Sequence, residues 1–184
     1  MKKIGVIGLG NMGRGMALTL KRGGFEVLGT DAIAATREAL ANEGITVCPT
    51  IGEVVAACDM VFLSLPTAAI VEEVISGAGG MIEHGRAGVL VIDTSTSHPD
   101  TTRRMLLKLN AVGMEFMDAP VSGGPKGAIT GTMAMVIGAS RPPAVVEATE
   151  SAGIFQPRAI ARVTRKRTFS ASKRGVMSVT WPTG

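Results

Sequence analysis

Short runs of consecutive apolar residues alternate with longer stretches whose apolar positions return every three or four residues. The runs predict strands buried on both faces, and the stretches predict helices with one buried face. Lys3 to Gly8 (KIGVIG) reads as the first strand, and Met12 to Lys21 as a helix with Met16, Leu18 and Leu20 among its apolar residues. Phe25 to Gly29 is the second strand, Ala32 to Ala41 the second helix, Ile45 to Cys48 a short third strand, and Gly52 to Ala57 a short helix. Met60 to Leu65 is a fourth strand, stopped by Pro66, with a helix over Ala68 to Ile75. Val89 to Ile92 is the fifth, and Ser97-His98-Pro99-Asp100 reads as a capping box opening a helix over Pro99 to Leu109. Met114 to Met117 and Thr132 to Ile137 are two further strands.

Strands alternating with helices argue for a mostly parallel sheet covered on both faces, joined by right-handed crossovers. The expected fold class is therefore α/β, a doubly wound Rossmann-type sheet. After residue 141 the pattern fails: Pro142-Pro143 leads into a short helix over Ala144 to Ala152, and Arg158 to Gly184 is left unassigned. Residues 1–141 are expected to form the α/β domain and 142–184 a basic tail.

Charge sharpens that division. The 184 residues carry a net charge of +4, but through Arg141 there are 12 Lys and Arg against 13 Asp and Glu. From Pro142 onward the count is 7 against 2. A nucleic-acid role would rest on Arg165-Lys166-Arg167 and Lys173-Arg174 alone, with only Phe169 and Trp181 nearby for stacking, and none is expected. Cys48 and Cys58 offer neither a disulfide framework nor metal-ligand spacing, which fits a reducing, cytoplasmic setting without a metal. No apolar stretch approaches the ~20 residues of a membrane span, so no membrane partner is expected. The apolar run after Lys2-Lys3 breaks at Asn11 and Arg14, too early for a secretion signal.

Gly8-Leu9-Gly10-Asn11-Met12-Gly13 spells G-x-G-x-x-G at the end of the first strand and the opening of the first helix. Gly8 permits a tight turn, Gly10 lets the backbone approach a pyrophosphate, and Gly13 lets helix and strand pack closely. The helix N-terminus then offers N–H groups and partial positive charge to phosphates. The competing reading is a plain glycine-rich turn in an α/β core. Asp31, 18 residues after Gly13, closes the second strand. A carboxylate there accepts hydrogen bonds from an adenosine ribose and repels a 2′-phosphate, which favours NAD over NADP. It also suits the N-cap of the second helix. Arg37, one and a half turns further on, is expected on a solvated face.

Four ordered motifs over residues 1 to 140 resemble the β-hydroxyacid dehydrogenases, the family of 3-hydroxyisobutyrate dehydrogenase and tartronate semialdehyde reductase. They are Gly8-Leu9-Gly10-Asn11-Met12-Gly13-Arg14-Gly15-Met16-Ala17, Leu65-Pro66, Asp93-Thr94-Ser95-Thr96, and Asp118-Ala119-Pro120-Val121-Ser122-Gly123-Gly124 with Gly127-Ala128 and Gly131-Thr132. The resemblance implies that Gly8 to Gly13 hold the pyrophosphate of NAD or NADP. It implies that Leu65 and Pro66 line the cofactor cleft, that Thr96 sits near the nicotinamide, and that Ser122, Gly123 and Gly124 hold the carboxylate of a small hydroxyacid. A hydroxyl beside consecutive N–H groups on a Gly-Gly turn makes an anion nest on chemical grounds as well, although a plain turn remains the alternative. His84 and His98 lie in polar, loop-like settings and take no catalytic role.

The family's general acid/base is a lysine in a K-x-x-N-N motif leading into a C-terminal all-helical domain. The sequence contains no such motif: its asparagines are Asn11, Asn42 and Asn110. Lys126, Lys166 and Lys173 lack the context, so no catalytic residue is assigned. The expectation is a chain lacking that helical domain, with a tail that reads as translation out of frame. Apolar surface left uncovered would then favour homo-oligomers or aggregation. Two functions follow: a 3-hydroxyacid dehydrogenase with impaired catalysis, or a non-catalytic dinucleotide-binding fragment.

Overall fold

A computed structural model gives the backbone over residues 3–139 and 175–180 and the side chains over 3–135. The expected helix over Ala144 to Ala152 lies outside the described residues. The alternation read from the sequence is present: β1 (Lys3–Ile7), α1 (Asn11–Arg22), β2 (Glu26–Thr30), α2 (Ala34–Asn42), β3 (Thr46–Val47), α3 (Ile51–Ala57) and β4 (Met60–Leu63). There follow α4 (Ala68–Ser76), α5 (Met81–His84), β5 (Leu90–Asp93), α6 (Pro99–Ala111) and β6 (Glu115–Asp118). The last elements are β7 (Val121–Ser122), α7 (Gly124–Thr130), β8 (Ala134–Ala139) and β9 (Gly175–Thr180), the last within the stretch the sequence left unassigned.

The strands form one sheet in which β3, β2, β1, β4, β5 and β6 lie side by side, all parallel. This is the doubly wound order, reversing direction between β1 and β4. β8 runs antiparallel along β6 and β7, with β9 antiparallel on β8. Asp118 pairs with Gly138, Val121 with Met135 and Ser122 with Ala134, so β6 and β7 are one strand in a single register. It is interrupted only at Ala119-Pro120, because proline has no N–H to give the ladder.

Alternate residues of each strand enter opposite layers of the core. Ile4, Val6, Phe62, Leu90 and Ile92 pack with Ala17 and Leu20 of α1 and Leu40 of α2. Ile7, Val61, Leu63 and Val91 pack with α3, α4 and α6 through Val54, Val71, Ile75, Met105 and Leu109. Each such fully buried side chain contributes about 1.5–3 kcal/mol, which is why the strands read as continuous apolar runs.

One helix start, one cap and one whole helix differ from expectation, while α6 starts at Pro99 as expected. α2 begins at Ala34, because the Asp31 carboxylate accepts the Ile33 N–H at 2.9 Å and holds the chain in a turn. α6 is capped by His98, whose Nδ1 accepts from Asp100 N–H at 3.2 Å, while Ser97 is not a cap and donates to Asp93. α7 was not foreseen at all, since Gly-Gly-Pro-Lys-Gly reads as a turn.

Candidate functional site

One row of residues crosses the sheet at its C-terminal edge: Thr30, Ile7, Leu63, Asp93 and Asp118 are in register on successive strands. The segments that follow this row form the rim of the crevice where the strand order reverses, the usual ligand position of such sheets. The expected site residues Gly8 to Gly13, Asp31, Leu65, Pro66 and Thr96 all lie in these segments. So does the strand leading to Ser122, Gly123 and Gly124.

The first segment is the turn from β1 into α1. Gly8 has φ +90° and donates its N–H to Thr30 O at 2.9 Å. A Cβ on Gly8 would lie 2.3 Å from Ser64 O, and one on Gly13 would lie 1.8 Å from Gly8 O, so both positions require glycine. Gly10 differs: its φ of −59° suits any residue, and a Cβ there would meet nothing within 4 Å. The other three residues divide their roles. Leu9 is buried against Gly29, Met12 packs on Met16, Ala128 and Met133, and Asn11 is exposed.

Asp31 is half-buried and ties two segments together, since its Oδ2 accepts the Leu9 N–H at 2.6 Å and its Oδ1 the Ile33 N–H. It is not the N-cap of α2; Ile33 is. Arg37, expected on a solvated face, is half-buried instead and donates from Nη1 to Asp31 O at 2.5 Å.

Beyond β4, Leu65 is half-buried and Pro66 exposed. The Leu65 N–H donates to Ser95 Oγ at 3.0 Å, and the Thr94 hydroxyl to Leu63 O at 2.6 Å. Asp93, fully buried, organises this segment by accepting the Ser95 N–H and the Ser97 hydroxyl, both at 2.9 Å. Burial pushes its carboxyl above the ordinary value, against the opposing pull of the Ser95 and Ser97 bonds. Thr96 is exposed on the rim.

Ser122 is exposed at the end of β7, and Gly123 and Gly124 follow with φ of +121° and +60° into α7. α7 is fixed to α1, the helix that starts at the glycine loop. A Cβ on Gly15 would lie 2.6 Å from Ala128 Cβ, and the Thr19 hydroxyl donates to Ala128 O at 2.7 Å. Arg22 donates to Ile129 O and to Thr19 Oγ1. Gly15, Thr19 and Asp93 were given no role from the sequence. Two of them carried a signal: Asp93 opens one of the four motifs, and Gly15 is a glycine inside a helix, which costs about 0.5–1 kcal/mol relative to alanine.

Among the described residues no three His, Cys, Asp or Glu side chains are placed to hold a metal ion, and no helix is long and apolar enough to cross a membrane. Cys48 and Cys58 are buried free thiols, and burial pushes Cys58 up to about 12. Lys126 is exposed on α7; Lys166 and Lys173 lie outside the described residues.

The family model described as the NAD binding domain of 6-phosphogluconate dehydrogenase matches residues 3–156. The chain is 42% identical over 138 residues to 2-(hydroxymethyl)glutarate dehydrogenase of Eubacterium barkeri, covering 75% of this chain and 46% of that protein. It is 36% identical over 136 residues to 2-hydroxy-3-oxopropionate reductase of Escherichia coli, covering 74% of this chain and 46% of that protein. Among solved structures, 3-hydroxyisobutyrate dehydrogenase of Mycobacterium tuberculosis with L-serine superposes with a TM-score of 0.77 at 31% identity, covering 84% of this chain and 51% of that chain. The chain thus spans about half the length of these relatives.

Proposed function

Because the chain belongs to the family of the NAD binding domain of 6-phosphogluconate dehydrogenase, we propose that it binds a nicotinamide dinucleotide across the crevice between β1 and β4. We further propose that this site serves hydride exchange with a small carboxylate-bearing 3-hydroxyacid. The observation that carries the reading is the contrast within the glycine loop. Gly8 and Gly13 are closed in by backbone oxygens, while a Cβ on Gly10 would meet nothing within 4 Å beyond its own chain neighbours. The residues fit the group, since a diphosphate needs that open approach to the first N–H groups of α1.

In this proposal Gly8 to Gly13 hold the pyrophosphate, and Asp31 takes the adenosine ribose and favours NAD over NADP. Leu65, Pro66 and Thr96 line the cleft toward the nicotinamide. Ser122, Gly123 and Gly124 hold the substrate carboxylate through a hydroxyl and a pair of N–H groups. When bound, the nicotinamide supplies the acceptor for the hydride. The hydroxyl proton must leave in step with it, and a positioned general acid/base is worth about 10²–10⁴-fold. The family's K-x-x-N-N lysine has no counterpart in these 184 residues, so the chain is expected to bind without efficient turnover.

The relatives named for hydroxymethylglutarate, hydroxyoxopropionate and hydroxyisobutyrate support a small hydroxyacid as the substrate class. The test is an NADH fluorescence titration, paired with an oxidation assay on a panel of small 3-hydroxyacids. Saturable NADH binding with turnover reduced at least about a hundredfold from ordinary enzyme rates is expected. A chain that binds no dinucleotide ends the proposal.

A further inference from the structure

A hollow separates β8 from α1. Met16, Thr19 and Leu20 of α1, Phe62 of β4, and Gly131, Met133 and Met135 line about 320 Å³ of empty space, part of it open to solvent. The lining is apolar: Thr19 brings the one side-chain hydroxyl, which already donates to Ala128 O at 2.7 Å. A polar ligand would lose its water there without gaining partners, so the hollow suits an apolar body with at most one polar end at the open side.

The sheet itself points to the occupant. β9 pairs with β8 in an unbroken antiparallel register, from Gly175 opposite Ala139 to Thr180 opposite Ala134. Directly opposed residues of such a pair share a face, so Val179, opposite Met135, stands on the face that borders the hollow. Met177-Ser178-Val179-Thr180-Trp181 alternates apolar and polar with the period of a strand that has one buried face. Its apolar members all fall on the Met135 side of that alternation. One further step of the same ladder would set Trp181 opposite Met133, which lines the hollow as Met135 does. Pro182 restricts the residue before it to the extended region, which favours carrying the strand direction through Trp181. The same proline, having no N–H, then ends the ladder.

We infer that Trp181 seats its indole in this hollow, against Met16, Met133 and Met135. A tryptophan buries about 150–250 Å² and keeps a polar N–H that needs a partner or water, and an apolar hollow open on one side meets both conditions. Met133 also backs the candidate carboxylate turn. A Cβ on Gly123 would lie 3.4 Å from Met133 Cα, and one on Gly127 would lie 3.3 Å from Met133 Cγ. The seated indole therefore joins the residues beyond β9 to the wall behind that turn. The inference does not depend on the dinucleotide reading.

Trp181 is the single tryptophan and the chain has no tyrosine, so indole fluorescence and ring-proton signals report on this residue alone. The experiment is NMR on the intact chain with methionine labelled at its methyl carbon, the Met16 and Met133 signals being assigned through Met16→Leu and Met133→Leu. Overhauser contacts from the indole protons to both methyl groups are expected, with ring-current shifts of those signals that vanish in Trp181→Leu. The leucine keeps an apolar body at the position, and a thermal melt establishes that the variant folds. Native emission should lie to the blue of that of the same chain in denaturant, and Trp181→Ala should lower Tm by about 5 °C or more. Benzene, a probe of empty apolar cavities, should leave the Met16 and Met133 signals of the wild type unmoved. A wild type whose Met16 and Met133 signals shift with benzene has an unfilled hollow and overturns the inference. So do indole contacts confined to other methionines, or native emission equal to that of the denatured chain. Contacts found only between differently labelled copies in a mixed sample overturn it too, because the indole would then belong to a second copy.

Discussion

Replacing Gly10 by alanine adds one methyl group at the N-cap of α1, at a backbone conformation (φ −59°, ψ −171°) open to any residue. The new Cβ meets no atom within 4 Å, so the folded chain has nothing to move. Two small terms remain. Alanine is a poorer N-cap than glycine by about 0.5–1.5 kcal/mol, and it restricts the unfolded chain, a gain of about 0.4–1 kcal/mol. The net change is within about 1 kcal/mol, or about 2–4 °C in Tm for a chain of this size. Binding should respond differently. A phosphate oxygen accepting from the first N–H groups of α1 sits about 2.9 Å from each nitrogen, in the space the methyl would fill. Losing one charge-assisted hydrogen bond costs about 1.5–3 kcal/mol, so NADH affinity should fall about ten- to a hundredfold. Thermal denaturation and NADH titration on one preparation separate the two effects. Gly13→Ala is the contrast, because its Cβ would sit 1.8 Å from Gly8 O and should cost the fold itself. A Gly10→Ala chain that binds NADH as tightly as the wild type, or that melts far below it, would refute the cradle.

Other outcomes follow from packing and charge. Gly15→Ala drives a methyl to 2.6 Å from Ala128 Cβ and should destabilise the α1–α7 seam by about 1–3 kcal/mol. Ala128→Gly in the same chain should return part of that loss in urea melts, and strictly additive changes would remove the seam as the cause. Asp93 binds its proton more tightly folded than unfolded, so the stability that protonation brings is full below the ordinary value of 3.8 and fades as pH rises through the higher folded value. The stability of the wild type relative to Asp93→Asn should therefore improve as pH is lowered from 7 toward 4, and a constant difference would contradict the burial argument. Cys58, buried and with its thiol pushed up to about 12, should resist thiol reagents at pH 8 until denaturant is added; rapid labelling of the native chain would show that its burial is breached.

The sheet was legible because both of its faces are buried: strands such as Met60–Leu63 and Leu90–Asp93 are apolar at nearly every position, and helices separate them at regular intervals. The glycine loop was legible because its conformational demands fall on backbone, where Gly8 and Gly13 leave a mark in the residue type. What escaped depends on contacts between distant segments. α7 has poor intrinsic helix formers, and Gly15 and Thr19 hold it from 109 to 113 residues away in the chain. Ser97 fits the local capping pattern, yet Asp93 claims its hydroxyl and leaves the cap to His98. Arg37 sits where a solvated face was expected, because a carbonyl at the end of β2 draws its guanidinium inward.

The uninterrupted pairing of β6 and β7 with β8 also bears on which lengths of chain this fold tolerates. Asp118, Val121 and Ser122 keep one register across Ala119-Pro120, so adding or deleting one residue there would turn every side chain beyond it to the other face of the sheet. Ser122 would then project from the opposite face of the sheet although no residue had changed identity. The turn from α2 into β3 at Glu43, Gly44 and Ile45 feeds a strand of only two residues and has far less register to lose. Length variation among relatives should therefore collect at that turn and be excluded from 118–122, a pattern set by geometry and not by the chemistry of any one side chain.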